Sequence, residues 1–188
     1  MAPSSDLRLL LGSLGIPLHM LRVVACISEE HDIRLVVLAG LICLFACYTG
    51  FSLVARARAA QGITGVKWRL AAALVMGCGV WATHFLAMLA FRPSLPMGYD
   101  VGLTALSLAT AVAIIAAGLM VTAYLTAMPM LGGAIAGAGI GAMHYLGMAA
   151  LLIPARASYD AHYVAASLLI GMTFGALAAH VSFGGLGT

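Results

Sequence analysis

The chain has 188 residues, of which 63% are hydrophobic and only 8% are charged, with a formal net charge of +3 and a mean hydropathy of +1.09. A water-soluble core of this size cannot bury so much apolar surface, so we expect a lipid bilayer around the chain and no nucleic-acid partner. Because every segment in lipid must satisfy its own backbone polar groups, the composition predicts an all-α integral membrane protein.

Five apolar runs are long enough to cross a hydrocarbon core of roughly 30 Å, for which a helix needs about 20 residues. The predicted spans are 33–55, 70–91, 101–125, 131–153 and 163–183. Residues 1–30 are predicted to be an N-terminal extension that is interfacial or partly disordered over 7–26, with a sixth span or an uncleaved signal sequence as alternatives. Residues 31–184 form the predicted membrane domain, and residues 185–188 a short C-terminal tail.

Basic residues are concentrated between the first two predicted spans, in a predicted loop with Arg56, Arg58, Lys67 and Arg69. The positive-inside rule places that loop in the cytoplasm. We therefore expect a multi-pass protein whose C-terminus is cytoplasmic and whose segments 92–100 and 154–162 face outward.

A repeat runs through the second and fourth spans. The stretch 79–88, GVWATHFLAM, aligns with 139–148, GIGAMHYLGM, at an offset of 60 residues (144 − 84), and the match continues to the Tyr-Asp pairs at 99–100 and 159–160. A fixed period of this kind indicates repeated architecture. We predict a bundle of about five helices built from a two-helix repeat.

Each copy carries a histidine followed four residues later by a methionine, a spacing that places both side chains on one helical face. Imidazole and thioether are ligands of copper, and thioether favours Cu(I). An ionisable side chain inside a span usually marks function. The predicted metal ligands are His84, Met88, His144 and Met148, with Met143 as a weaker candidate that points elsewhere. The residues predicted around them are Tyr145, Phe85, Tyr99, Asp100, Tyr159 and Asp160.

Small residues at four-residue spacing share the histidine face, namely Gly133 and Gly137 on the fourth span and Ala73 and Gly77 on the second. Such spacing lets membrane helices approach closely. It predicts that the second and fourth helices meet through these faces, which would bring the two histidines together.

An aspartate precedes three of the predicted helices, at positions 32, 100 and 160. Aspartate accepts hydrogen bonds from the first N–H groups of a helix and complements its dipole, so all three are predicted N-caps, with a ligand contact as the alternative. Cys43 and Cys47 are expected to pack as free thiols, with soft metal ligation as the alternative.

Other functions remain open at this stage. The two histidines could instead be axial ligands of haem, although close helix packing disfavours a macrocycle between them. Copper handling or transport would need ligands through the whole membrane depth, and the inner half offers few beyond Met76, Met128, Met130 and His180. We expect no enzyme, because no nucleophile with its base, no phosphate-binding glycine loop and no paired carboxylates are evident.

The run 142–150, AMHYLGMAA, its partner 83–88, THFLAM, and the following Tyr-Asp pairs resemble the MHYT domain over about residues 32–183. The resemblance implies a sensor domain of the bacterial inner membrane that holds copper near the outer face and senses oxygen, carbon monoxide or nitric oxide. It also implies cyclic-di-GMP signalling, because such domains are often fused to cytoplasmic cyclic-di-GMP synthase and phosphodiesterase modules or to other output domains. For this chain we expect a separate cytoplasmic output protein or a homo-oligomer. Leu146 replaces the motif threonine, Thr83 and Phe85 replace the motif methionine and tyrosine, and the chain resembles a truncated member with two of the usual three copies.

Overall fold

A computed structural model describes residues 31–92, 97–154 and 159–183. The helices in these ranges are α1 (Ile33–Ala59), α2 (Gly62–Ala90), α3 (Val101–Tyr124), α4 (Pro129–Ala149) and α5 (Ala161–Phe183). Two short strands, β1 (Gly98–Tyr99) and β2 (Leu151–Leu152), pair antiparallel. The predicted helical bundle is confirmed, and the predicted N-terminal extension and C-terminal tail lie outside the described residues.

Four helices of the described ranges, α1, α2, α3 and α5, are long and apolar enough to cross a membrane. The remaining helix, α4, has 21 residues and is rich in buried glycine. It packs against three helices, α3, α5 and α2. Its glycines fit this position because they permit close approach of three neighbours.

The basic residues lie on helices and not in a loop, contrary to the prediction. α1 extends through Arg56 and Arg58, and α2 already begins at Gly62. Gly62 has a φ of 57°, a left-handed conformation that glycine adopts without strain and that permits this tight connection. Lysine and arginine are good helix formers whose long side chains reach the membrane surface, so the helices continue beyond the apolar spans. We call this the basic end of the bundle.

The fourth span ends earlier than predicted. α4 stops at Ala149 because Leu151–Leu152 leaves the helix to pair with Gly98–Tyr99, and the Asp100 N–H donates to the Ala150 carbonyl at 2.8 Å. The first copy closes in the same way. There His31 and Phe91 form an isolated antiparallel β-bridge, and the Asp32 N–H donates to the Ala90 carbonyl at 2.8 Å.

The small-residue faces do not join α2 to α4, which corrects the prediction. A Cβ placed on Gly137 would meet the backbone of Gly171 in α5, and one placed on Gly77 would meet Val112 of α3. Both copies thus pack this face on the helix that follows in sequence. Small residues at four-residue spacing indicate that a helix packs closely on this face. The same spacing suits any neighbouring helix, so the sequence pattern could not identify which helix packs there.

Candidate functional site

α2 and α4 contact each other through the two repeated histidines, near the end of the bundle where the aspartates lie. The Nδ1 atoms of His84 and His144 are 3.3 Å apart. Their ring centroids are 4.9 Å apart with an interplanar angle of 78°, an edge-to-face arrangement. The structure therefore brings together two residues that are 60 positions apart in the sequence.

His84 is the more enclosed member of the pair. Its Nε2 atom is buried and has no hydrogen-bond partner among the described residues. A Cβ placed on Gly147 of α4 would lie 2.5 Å from that atom and 2.8 Å from the ring Cδ2. The ring also contacts Phe85, at a centroid distance of 5.1 Å. Glycine at position 147 therefore makes room for the imidazole between the two helices.

His144 is exposed, and its ring lies 5.1 Å from the ring of Tyr145. The Tyr145 hydroxyl forms a hydrogen bond with the Ser167 hydroxyl of α5 at 2.6 Å. Tyr145 also contacts Tyr159 edge-on at 6.2 Å. Through Tyr145, these contacts connect the exposed His144 to α5 and to Tyr159.

The equivalent aromatic contacts of the first copy are more enclosed. Phe85, only 8% exposed, packs against Trp81 at 4.9 Å and Tyr99 at 5.7 Å. The Trp81 indole N–H donates to the Ser107 hydroxyl at 3.2 Å. Ser107 and Ser167 occupy matching positions of the repeat. Neither was predicted as a site residue, although the repeat offset would have identified both.

Tyr99 has a buried hydroxyl without a hydrogen-bond partner among the described residues. Burial raises the pKa of this hydroxyl, because the interior disfavours the phenolate. Its repeat equivalent, Tyr159, is 50% exposed. The first copy therefore contains two unpaired polar atoms close to its aromatic cluster, on His84 and on Tyr99.

The predicted methionine ligands lie one helical turn beyond the histidines, and Met88 and Met148 are both half-buried. Met143 is 1% exposed and belongs to the core of the bundle. Cys43 and Cys47 lie on α1 and line an apolar cavity.

The predicted aspartate caps are confirmed. Asp100 accepts a hydrogen bond from the Leu103 N–H at 2.7 Å, Asp160 from the His162 N–H at 2.8 Å and Asp32 from the Arg34 N–H at 3.0 Å. Asp32 also forms an ion pair with Arg92. The carboxylates therefore have structural partners at the beginning of the helices.

A small metal ion fits the histidine pair. Two imidazole nitrogens bound at about 2.0 Å to one tetrahedral ion lie roughly 3.3 Å apart. This equals the observed Nδ1 separation, which is also the length of a hydrogen bond between the two imidazoles. Across the described ranges no three His, Cys, Asp or Glu side chains come together as metal ligands. The predicted thioethers are the remaining candidate ligands, and the direct contact of the two rings leaves no room for a haem between them.

Comparison with known proteins gives the same repeat. The family described as bacterial signalling protein N terminal repeat, MHYT, matches residues 77–133 and 137–188. Its two matches begin at equivalent glycines, 60 residues apart (137 − 77). No solved structure matches the chain significantly.

Several bacterial signalling proteins contain a similar region. An "uncharacterized signaling protein" of Caulobacter vibrioides is 39% identical over 153 residues, which are 80% of this chain and 19% of that protein. The bifunctional diguanylate cyclase/cyclic di-GMP phosphodiesterase MucR of Pseudomonas aeruginosa is 38% identical over 161 residues, or 84% of this chain and 23% of that protein. The cyclic di-GMP phosphodiesterase NbdA of the same organism is 40% identical over 154 residues, 77% of this chain and 19% of that protein.

The chain spans about a fifth of the length of these curated relatives. Helices suited to crossing a membrane, a duplicated histidine motif and two matches to one family all describe the same region. The chain is a multi-pass membrane protein and belongs to the MHYT family of bacterial signalling proteins.

Proposed function

We propose that this MHYT domain binds copper between His84 and His144 and senses a diatomic gas for cyclic-di-GMP signalling. The 3.3 Å separation of the two Nδ1 atoms carries the proposal, because it suits two nitrogens on one ion. Copper is favoured over zinc because thioethers are the further ligands within helical reach.

The residues of the site have different roles in this proposal. His84 is the fixed ligand, because Gly147 and Phe85 enclose its ring. His144 is the adjustable ligand on an exposed position. Met88 and Met148 complete the ion's protein ligands, whereas Met143 packs in the core and is the weakest candidate. Copper, when bound, would take up oxygen, carbon monoxide or nitric oxide at the position that His144, the adjustable ligand, gives up.

The helix packing suggests how a change at the site could reach the opposite end. His144 is on α4, and α4 contacts α5 so closely that the backbone of Gly137 meets the backbone of Gly171. At the basic end, Arg58 of α1 donates to the Ser182 carbonyl of α5 at 2.6 Å. Movement of α4 relative to α2 would therefore displace α5 and the contact it makes with α1.

The output is proposed from the relatives. MucR and NbdA are named as cyclic di-GMP enzymes, and similarity to this chain covers 23% and 19% of them. We infer that this region is a sensor and not the enzyme, located in the bacterial inner membrane with its basic end and C-terminus in the cytoplasm. Its output partner would be cytoplasmic, and a homo-oligomer could form the signalling unit.

The test is copper content of purified protein, measured by mass spectrometry of the metal together with a visible spectrum in oxidising and reducing conditions. We expect bound copper in the native protein and its loss in the His84→Ala/His144→Ala double variant. His180→Ala removes a histidine at the other end and serves as the matched control. Unchanged copper in the double variant would contradict the site, and a Soret band would identify haem instead.

A further inference from the structure

A second site lies at the basic end, far from the histidine pair. Along α2, Arg69 and His84 are about 20 Å apart at a rise of 1.5 Å per residue. A cavity of about 590 Å³ opens here between the ends of the helices. Its polar lining consists of Arg58, Arg69, Thr122, Thr126 and His180.

The charge in this cavity is positive and is not balanced within the described part of the chain. The three described aspartates cap the opposite ends of α1, α3 and α5. Arg58 is held in place by the Ser182 carbonyl and by the ring of Phe183, 5.1 Å from its guanidinium carbon. Neither partner neutralises the guanidinium, so Arg58 and Arg69 present positive charge to the cavity.

An apolar cavity of about 190 Å³ continues from the basic one. The two share four lining residues, namely Val54, Leu119, Thr122 and Phe183. Beyond these, the second cavity is lined mainly by aliphatic, aromatic, thiol and glycine groups of α1, α2, α3, α4 and α5. The combined space thus has a cationic mouth at the basic end and an apolar interior between the helices.

We propose that this space binds an anionic phospholipid of the inner leaflet, with the headgroup phosphate at Arg58 and Arg69 and an acyl chain in the apolar cavity. Arginine matches phosphate oxygens by paired hydrogen bonds. Basic pockets between helices on the cytoplasmic side are suited to anionic headgroups. A free phosphate or nucleotide would use the charges but would leave the apolar continuation empty, so the shape favours a lipid.

The site connects the lipid to the helices proposed to transmit the signal. Arg58 belongs to α1, Arg69 to α2 and His180 to α5, so one headgroup contacts three helices at once. A bound lipid would therefore hold α1 and α5 in a fixed relation at this end. The inference concerns residues outside the copper site and does not depend on copper.

The experiment is native mass spectrometry of the purified protein after exchange into detergent micelles doped with phosphatidylglycerol or phosphatidylcholine. We expect one retained phosphatidylglycerol and much weaker retention of phosphatidylcholine. Arg58→Gln and Arg69→Gln should each lower retention about fivefold, the factor corresponding to about 1 kcal/mol per basic residue near anionic lipid. Cys47→Phe, which fills part of the apolar cavity, should lower retention of the long-chain lipid without any change in charge.

Arg56→Gln and Lys67→Gln are the matched controls, because they remove the same charge from the same end but do not line the cavity. Equal losses in all four charge variants would mean general electrostatic attraction and would overturn the site. Displacement of phosphatidylglycerol by equimolar inorganic phosphate would identify a free-anion site and would also overturn the lipid proposal. Retention unchanged in Cys47→Phe would refute the placement of the acyl chain.

Discussion

The two copies of the repeat have matching side chains but different surroundings. In the first copy His84 is enclosed by Phe85 and by the backbone at Gly147, and the Tyr99 hydroxyl is buried. In the second copy His144 and Tyr159 are exposed. The backbone closure of each copy is nevertheless the same, because an aspartate N–H donates to the carbonyl at the end of a later helix, Asp32 to Ala90 at the end of α2 and Asp100 to Ala150 just after α4.

The difference follows from the side chains around each histidine, because α2 and α4 each pack against three helices. The His84 ring is enclosed by Phe85 and by Gly147 of α4. The His144 ring contacts Tyr145, which is half-buried. In the proposed copper site, the duplicated sequence would therefore supply a fixed ligand, His84, and an adjustable one, His144. The following variants test this comparison.

Gly137→Ala should have the largest effect. The new Cβ would overlap the carbonyl of Gly171 and approach the Met172 Cα to 3.0 Å, so α4 and α5 would have to separate. We expect a loss of about 3 kcal/mol in unfolding free energy, the upper part of the range for overpacking, measured by detergent-induced unfolding. Gly40→Ala is the control, since a Cβ there meets nothing within 4 Å. Equal stability of the two variants would contradict the close α4–α5 contact.

Gly147→Ala should separate the two histidines. Its Cβ would lie 2.5 Å from His84 Nε2, so the imidazole must shift. We expect a loss of about 2 kcal/mol together with reduced copper content. Ala87 holds the equivalent position in the first copy and is exposed. Ala87→Gly should cost only about 1 kcal/mol through helix propensity and should leave copper content unchanged; equal copper loss in both would show that the enclosure of His84 is unimportant.

Tyr145→Phe should have a smaller effect, confined to the second copy. It removes the 2.6 Å hydrogen bond to Ser167 but keeps the ring contacts with His144 and Tyr159. We expect a loss of about 1 kcal/mol in unfolding free energy. Tyr124→Phe removes a hydroxyl from a side chain that is 75% exposed and should change nothing. If both variants behave alike, the hydroxyl pair does not stabilise the α4–α5 contact.

Tyr99→Phe should be neutral or stabilising by up to about 1 kcal/mol near neutral pH, because it removes a buried hydroxyl without a partner. Burial raises the pKa of this hydroxyl in the folded state. The folded state therefore favours the neutral phenol, and this contribution is complete below pH about 10 and is lost as the pH rises through the raised pKa. Unfolding measured from neutral to alkaline pH should show a shallower alkaline loss in Tyr99→Phe. Tyr159→Phe is the control, and the same change in both would contradict the burial of Tyr99.

The sequence predicted most features that depend on neighbouring residues. Hydropathy located the helices, the offset of 60 identified the repeat, and the three aspartates were correctly assigned as caps. Predicted helix ends were wrong at the basic end and at position 153, because apolar content does not report how far a helix continues or where a strand pair interrupts it. The ligand roles of the histidines and the methionines, and the copper itself, stay predictions.

The sequence by itself determined the membrane class, the helix content, the duplicated His-Met spacing and the family. Each of these can be read from the composition or the periodicity of the chain, because none of them requires knowing which helices are neighbours. Only the tertiary structure decided that Gly137 faces α5, that the expected meeting of His84 and His144 occurs without the small-residue faces, and that one copy is enclosed while the other is open. Those features depend on how several helices pack at once, and identical small-residue spacings fit more than one neighbour.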